Sequence, residues 1–189
     1  MNSIHIPLIG GFVGVPIIIW LFWWITRESA GTPRMKEIAG YIQEGAHAYL
    51  KREVVTISYV IIPFAIVLFF ILGWEIAFGF FLGALFSIIA IITGMSGAVI
   101  ANVRTTNAAR TSPGRALILA FRGGAIMGFS IVSLILLGIS SLYILFGVGP
   151  SNPEAVHMLV GFGFGASLSA MFAQVGGGIY TKAADIGAD

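Results

Sequence analysis

The stretch Gly79–Asn102, GFFLGALFSIIAIITGMSGAVIAN, carries no charged side chain and decides the class of fold. A hydrocarbon core about 30 Å thick is crossed by about 20 helical residues. Runs of this kind recur along the chain, and one of them contains a single charge, Arg122. The pattern predicts five membrane spans, at about residues 4–26, 54–73, 76–103, 116–148 and 155–181.

The composition excludes a soluble domain. Of the 189 residues, 58% are hydrophobic and 10% are charged, whereas a soluble domain carries about 25% charged residues. We therefore expect an all-α, polytopic membrane helix bundle. The sequence has no cysteine, which excludes disulfides, thiolate metal sites and a cysteine nucleophile. The net charge of +2 comes without a basic patch interleaved with aromatic residues, so we expect no nucleic-acid partner.

Lysine and arginine residues are confined to one side of the predicted spans. The connections fall alternately on the two sides, and every basic residue lies on the same side or within two turns of it. The positive-inside rule then predicts an N-terminus outside the cell and a C-terminal end in the cytoplasm. We expect the first span to be a retained anchor in the cell (inner) membrane, because it lacks the charged leader and cleavage site of a signal peptide.

Residues 33–52 link the first two spans and form a candidate cytoplasmic amphipathic helix. Thr32 is suited to cap it, and Pro33 to occupy its first turn. Apolar residues then recur at helical spacing. Two placements stay open: the helix lies on the membrane surface, or it packs against other helix ends. Gly40 and Gly45 favour the second, since they weaken a free-standing helix and permit close approach.

Glycine supplies 25 of the 189 residues, and many glycines fall on the third, fourth and fifth predicted spans. Small residues let helix backbones approach closely in lipid, where packing drives association. We therefore expect these three helices to lie inside a bundle. The number of such faces also predicts partner helices beyond the five.

The segment Gly176–Asp189, GGGIYTKAADIGAD, gathers polar chemistry at the end of the fifth span. Lys182, Asp185 and Asp189 are spaced i, i+3, i+7, which places them on one helix face. A lysine beside two carboxylates suits a phosphate ligand that arrives with Mg²⁺. The alternative is a solvated helix end whose ion pair contributes little, and the spacing alone favours this alternative.

Two further polar positions have open interpretations. Arg122 either extends its side chain to the membrane interface or is a buried cation with a partner on another helix. Gln174 and Ser167 lie near one stripe with Lys182, two turns apart along the fifth span. Such a stripe lines an ion path or, more commonly, forms interhelical hydrogen bonds.

Several segments together resemble the N-terminal part of the membrane-bound inorganic pyrophosphatases, which are pyrophosphate-energised proton or sodium pumps. These segments are MKEIAGYIQEGAHAYLKRE, GMSGAVIANVRTTNAAR, AFRGGAIMGF and GFGFGASLSAMFAQVGGGIYTKAADIGAD. The resemblance runs from about residue 35 to 189. It implies an N-terminal fragment, with five of about sixteen transmembrane helices per subunit of a homodimer.

The resemblance also implies roles for individual residues. Lys182 matches a lysine that contacts pyrophosphate, and Asp185 and Asp189 match carboxylates that bind Mg²⁺-pyrophosphate, with K⁺ as a candidate activator. Gln174 occupies a gate position where many family members carry arginine, and Ser167 lies along the ion path beneath it. The water-activating residues are expected beyond the end of the chain, so the five helices alone are expected to be inactive.

The implied function is Mg²⁺-dependent hydrolysis of cytoplasmic pyrophosphate coupled to outward pumping of protons or Na⁺. Two other classes stay open. The first is a free-standing, non-enzymatic membrane protein that assembles through its glycine faces. The second is a carrier module that binds an anion at Arg122 and Lys182 without hydrolysis.

Overall fold

The computed structural model describes residues 4–148 and 152–188. It contains five long helices, α1 (His5–Arg27), α2 (Pro33–Leu72), α3 (Trp74–Ala109), α4 (Pro113–Leu145) and α5 (Val156–Ala188), with a short 3₁₀ helix at Pro153–Ala155. Each of the five is long and apolar enough to cross a membrane. The expected all-α membrane helix bundle is confirmed.

Helix α2 is longer than the span predicted for it. It runs unbroken through 40 residues, or about 60 Å at 1.5 Å per residue. The predicted amphipathic segment and the second span are therefore one helix, because the change in polarity near residue 53 comes with no glycine or proline to interrupt the backbone hydrogen bonds. The Thr32 hydroxyl accepts from the Met35 N–H at 3.3 Å, and Pro33 is in the first turn.

The first half of α2 packs against α3. Ala46 and Leu50 are buried, and Met35 and Ile38 share a cleft with Thr106 and other residues of α3. Of the two open placements, the structure shows packing against another helix. Gly40 and Gly45 do not make this contact, because no described residue lies within 4 Å of where a methyl group would lie on either. The contact with α3 is made by side chains on the other face of α2, not by these glycines.

Helix α3 approaches α5 closely enough for its glycines to touch the α5 backbone. A methyl group at Gly79 would lie 2.9 Å from the carbonyl carbon of Met158, and one at Gly83 would lie 2.7 Å from that of Phe162. Both contact positions advance by four residues in the same direction, so α3 and α5 run parallel. This is the close approach that small residues were expected to permit.

The contact is reciprocal, since α5 presents a matching pair of glycines to α3. A methyl group at Gly161 would meet the carbonyl of Ile76, and one at Gly165 would meet the carbonyl of Phe80. The ring of Phe80 is fully buried beside this crossing. The α3–α5 crossing, as we call these two glycine pairs, therefore leaves no room for a side chain on either helix.

Helices α1 and α4 form a second close pair, which is antiparallel. Gly14 lies against the Ser133 side chain, and Gly11 lies against Leu137. On α4 only part of the predicted glycine face is used, because Gly123 meets Ala101 of α3 whereas Gly124 and Gly128 have open space beside them.

The connection between α1 and α2 is held by three side chains from α3 and α4. Arg104 donates from Nε to the Glu28 carbonyl at 3.1 Å, and Asn107 donates to the Ser29 carbonyl at 3.2 Å. Arg115 donates to both Glu28 carboxylate oxygens, at 2.8 and 3.0 Å. This end of the bundle, where α1, α3 and α5 finish and α2 and α4 begin, is called the basic end.

Candidate functional site

The end of α5 carries the predicted substrate and metal residues. The Lys182 Nζ lies 3.7 Å from an Asp185 carboxylate oxygen, and the two side chains are 73% and 70% exposed. Because α5 runs parallel to α3, this pair lies at the basic end. Asp189, the third residue of the predicted face, lies outside the described residues.

The structure joins Lys182 and Asp185 but does not close a metal site around them. Within residues 4–148 and 152–188, no group of three or more His, Cys, Asp or Glu side chains is placed to hold a metal ion. An exposed pair of this kind contributes little to folding. Its carboxylate and ammonium are instead accessible to a ligand from solution.

Two residues of α2 belong to this region and were not predicted from the sequence. The Glu53 carboxylate occupies the space beside Gly176 where a methyl group would lie. The Tyr49 and Tyr180 rings stack with centroids 5.1 Å apart. The first glycine of the triplet thus accommodates a side chain of α2, whereas Gly178 has nothing within 4 Å of where a methyl group would lie.

Burial affects the ionisation of both α2 residues, which precede the apolar segment that starts at Val54. Burial raises the pKa of the Glu53 carboxyl above its ordinary value. Burial also raises the pKa of the Tyr49 hydroxyl, and the nearby Glu53 carboxylate raises it further. The helical periodicity of residues 33–52 places Tyr49 on the apolar face, and Glu53 follows one turn later, but only the packing of α2 on α5 shows their partner.

The two predicted path residues line neighbouring cavities between α3, α4 and α5. Ser167 lines a cavity of about 220 Å³, and Gln174 lines one of about 400 Å³. The cavities share Ile91, Met127 and Ala170 in their walls. Together they form one apolar groove, here called the α3–α4–α5 groove, with Gln174 nearer the basic end and Ser167 farther from it.

Polar side chains of α3, α4 and α5 differ in their hydrogen bonding. Thr93, Ser96 and Ser130, which do not line the groove, each donate to a carbonyl four residues earlier in their own helix. Neither Ser167 nor Gln174 forms a side-chain hydrogen bond with another described residue, and both are exposed to the groove. Among the described helices, the stripe therefore faces an open groove instead of linking helices.

Arg122 has a partner on another helix, and that partner is aromatic. Its guanidinium carbon lies 3.8 Å from the centre of the Trp24 ring and 5.4 Å from that of Trp20, both on α1. Lys182 pairs with Asp185 within α5. No described contact joins the two cations, so the structure gives no support to an anion carrier site that uses both.

Comparison with known proteins identifies the family to which these helices belong. A family model described as inorganic H⁺ pyrophosphatase matches residues 12–189. The chain belongs to this family. The match covers helices α2 to α5 and α1 from residue 12 onward, and it includes the Lys182 and Asp185 segment.

Relatives of this chain are named as ion pumps. It is 52% identical over 167 residues to the K⁺-insensitive pyrophosphate-energized proton pump of Methanosarcina mazei, covering 87% of this chain and 24% of that protein. It is 49% identical over 182 residues to the putative K⁺-stimulated pyrophosphate-energized sodium pump of Clostridium tetani, covering 96% and 26%. A K⁺-stimulated sodium pump of Thermotoga maritima is 40% identical, with 87% and 25% covered. The chain spans about a quarter of the length of these relatives.

Proposed function

We propose that this chain is part of a membrane pyrophosphatase in which hydrolysis of pyrophosphate to phosphate drives an ion across the membrane. The observation that carries the proposal is the family match over residues 12–189, combined with the exposed Lys182–Asp185 pair at the basic end. Pyrophosphate is an anion with hard oxygen atoms. A lysine ammonium suits those oxygens, and an aspartate carboxylate suits the metal ion that accompanies them.

The donor chemistry at the end of α5 fits Mg²⁺. The Asp185 carboxylate is a hard oxygen ligand with free access to solvent, and Mg²⁺ in phosphate sites is held by one or two carboxylates, waters and substrate oxygens. Asp185 and Asp189 would hold the ion. When bound, the metal supplies Lewis acidity and neutralises charge on the phosphoryl group.

Within this scheme Lys182 binds and orients the substrate. Its ammonium is a flexible point charge that contacts phosphate oxygens without fixing a bidentate geometry. Asp185 lies one turn away and keeps that ammonium near the carboxylates in the absence of substrate. The α2 residues Tyr49 and Glu53 act as supports, because they pack against α5 at Tyr180 and Gly176 and fix its position.

We propose that the α3–α4–α5 groove is part of the ion path. Gln174 and Ser167 supply polar atoms along an otherwise apolar surface, and polar groups at membrane depth commonly mark ion pathways. The family resemblance implies that the neutral Gln174 stands at a gate position where many members carry arginine. The named relatives include both proton and sodium pumps, and both K⁺-insensitive and K⁺-stimulated ones, so the pumped ion and a role for K⁺ are matters for measurement.

The assembly we propose is a homodimer in the cell (inner) membrane, with the basic end in the cytoplasm and the N-terminus outside. The orientation is supported by the arginines gathered at the basic end, including Arg104 and Arg115, because cytoplasmic loops carry an excess of basic residues. The homodimer is supported by the family resemblance alone.

The function is tested with the complete protein in sealed membrane vesicles. Pyrophosphate added with Mg²⁺ should release phosphate and produce accumulation of protons, followed with a pH-sensitive dye, or of Na⁺, followed with a radioactive tracer. Omitting Mg²⁺ should abolish both. Vesicles that release no phosphate above the level of protein-free vesicles would contradict the proposal, and phosphate release without accumulation of either ion would contradict the pump.

Replacement of Gln174 with alanine in the complete protein tests the path. We expect phosphate release to persist while ion accumulation per pyrophosphate falls about tenfold, the equivalent of losing one polar contact to a charged ion of about 1.5 kcal/mol. Val175→Ala is the matched control, since Val175 is the next residue on α5, is exposed and does not line the groove. Equal ion accumulation by the two variants would remove Gln174 from the path.

A further inference from the structure

The last two turns of α1 carry an aromatic and basic stripe on one face. Trp20, Trp23, Trp24 and Arg27 follow the spacing i, i+3, i+4, i+7, which keeps them on one side of a helix. Trp20 and Trp23 are 49% and 48% exposed. Tryptophan with one apolar and one polar edge is typical of the membrane interface.

Two guanidinium groups lie on this stripe, and they come from different helices. The Arg27 guanidinium lies 3.7 Å from the centre of the Trp23 ring. The Arg122 guanidinium of α4 lies 3.8 Å from that of Trp24. Both cations are therefore held in place by ring faces, an arrangement that leaves the N–H edges of each guanidinium free to donate.

Neither guanidinium has an acceptor in the described part of the chain. The ion pairs found there involve other basic residues, Arg34, Arg115 and Lys182. Glu28, the carboxylate that directly follows α1, is already held by Arg115 at 2.8 Å. Two positive charges thus share one surface with no neutralising carboxylate among these residues.

The position of Arg122 along α4 places this surface at headgroup depth. Arg115, paired with Glu28 beyond the end of α1, is seven residues earlier, which is about 10 Å along the helix axis. Toward the membrane centre the surface continues into exposed apolar side chains on the same helix faces, Phe129 (40% exposed) two turns after Arg122 on α4 and Val13 (54% exposed) two turns before Trp20 on α1. A ligand that fits carries a negative charge next to a long apolar part.

We propose that the Trp20–Arg27 stripe and Arg122 form a binding site for the phosphate headgroup of an anionic phospholipid, with its acyl chains along Val13 and Phe129. Lipid is favoured over a soluble phosphate because a soluble anion would gain nothing from these exposed apolar side chains. The site is independent of pyrophosphate hydrolysis, since it uses α1 and α4 and none of the residues at the end of α5.

The test is a titration of the complete protein in detergent with a short-chain phosphatidylglycerol, read as a rise in the thermal unfolding midpoint. Each arginine near an anionic headgroup contributes about fivefold to affinity. We expect Arg27→Gln and Arg122→Gln each to weaken the apparent affinity about fivefold, and the double variant to weaken it about 25-fold. Arg27 lies at the exposed end of α1, so its variant reports on binding even if Arg122→Gln unfolds.

Three controls separate the outcomes. Arg34→Gln removes an exposed arginine that is already paired with Glu37 and should bind as the unsubstituted protein does. Phosphatidylcholine should raise the midpoint much less than phosphatidylglycerol at the same concentration. An equal response to the two lipids, an equal response to inorganic phosphate alone, or unchanged affinity in Arg27→Gln would each overturn the proposal.

Discussion

Replacing Asp185 with asparagine in the complete protein should lower the rate of pyrophosphate hydrolysis about 100-fold or more while leaving its thermal stability unchanged. Removal of one group that stabilises charge at a reacting centre typically costs a factor of about 100 to 1,000. The thermal stability is expected to stay unchanged because the side chains of this ion pair are exposed. Both Asp185 and Lys182 are more than two-thirds exposed, and such pairs contribute about 1 kcal/mol at most.

The chain offers a closely matched control for this substitution. Glu37 pairs with Arg34 at 2.9 Å, also at i, i+3 spacing and also exposed, so Glu37→Gln removes a similar ion pair at the same end of the bundle. We expect this variant to hydrolyse pyrophosphate at the original rate. Steady-state phosphate release and a thermal melt of both variants make the comparison. Equal rates of pyrophosphate hydrolysis in Asp185→Asn and Glu37→Gln would show that Lys182 and Asp185 form an ordinary solvated helix end.

Replacing Gly165 with valine should destabilise the bundle and reduce activity together. The added side chain would meet the carbonyl of Phe80 across the α3–α5 crossing. The Phe80 backbone cannot change conformation to avoid this clash as a flexible side chain could. Overpacking in a well-packed core costs about 1–3 kcal/mol, and occasionally more. Here the two helices must separate over the whole crossing, so we expect the upper part of that range.

The control lies two residues away on the same helix. No described residue lies within 4 Å of where a methyl group on Gly163 would lie, and Gly163 is exposed, so Gly163→Val adds the same side chain with the same helix propensity. The thermal unfolding midpoint of the complete protein in detergent should fall in Gly165→Val and stay near its original value in Gly163→Val. Similar midpoints in the two variants would show that the crossing does not stabilise the protein.

These two substitutions separate the site from the scaffold. Asp185→Asn should change the rate without changing stability, and Gly165→Val should change both. The distinction follows from where each residue lies, because Asp185 is at a free helix end and Gly165 is at a backbone contact between two helices.

The fold was largely predictable because the bilayer imposes it. Length and the lack of charge identify a helix such as α3 without any knowledge of its neighbours. Spacing of small residues predicted that α3, α4 and α5 present close-packing faces, and the contacts of Gly83 and Gly165 show that α3 and α5 use such faces against each other. Glycines with no neighbour among the described helices, such as Gly40 and Gly124, could not be distinguished from the others, since the sequence of one helix does not show which of its faces gains a partner.

The site was predictable only where its residues lie on one helix. Lys182 and Asp185 are three residues apart, so periodicity alone places them together. The packing of Glu53 against Gly176 depends on how α2 crosses α5, more than 100 residues later in the chain. The stacking of Arg122 on Trp24 depends in the same way on the antiparallel register of α1 and α4. Contacts of this kind are decided by tertiary packing and have no local pattern.

The central claim is that the exposed end of α5 is part of the pyrophosphate site, and protection of a cysteine there tests it most directly. Ile186 lies one turn after Lys182 and is 69% exposed. Ile186→Cys is introduced into the complete protein after any other cysteines have been replaced, and its alkylation by a maleimide is timed with and without Mg²⁺ and a non-hydrolysable pyrophosphate analogue. At about ten times the Kd of the analogue, occupancy should slow labelling about tenfold, whereas Ile38→Cys on α2 should label at an unchanged rate. Labelling of Ile186→Cys at the same rate with and without the saturating ligand would contradict the account.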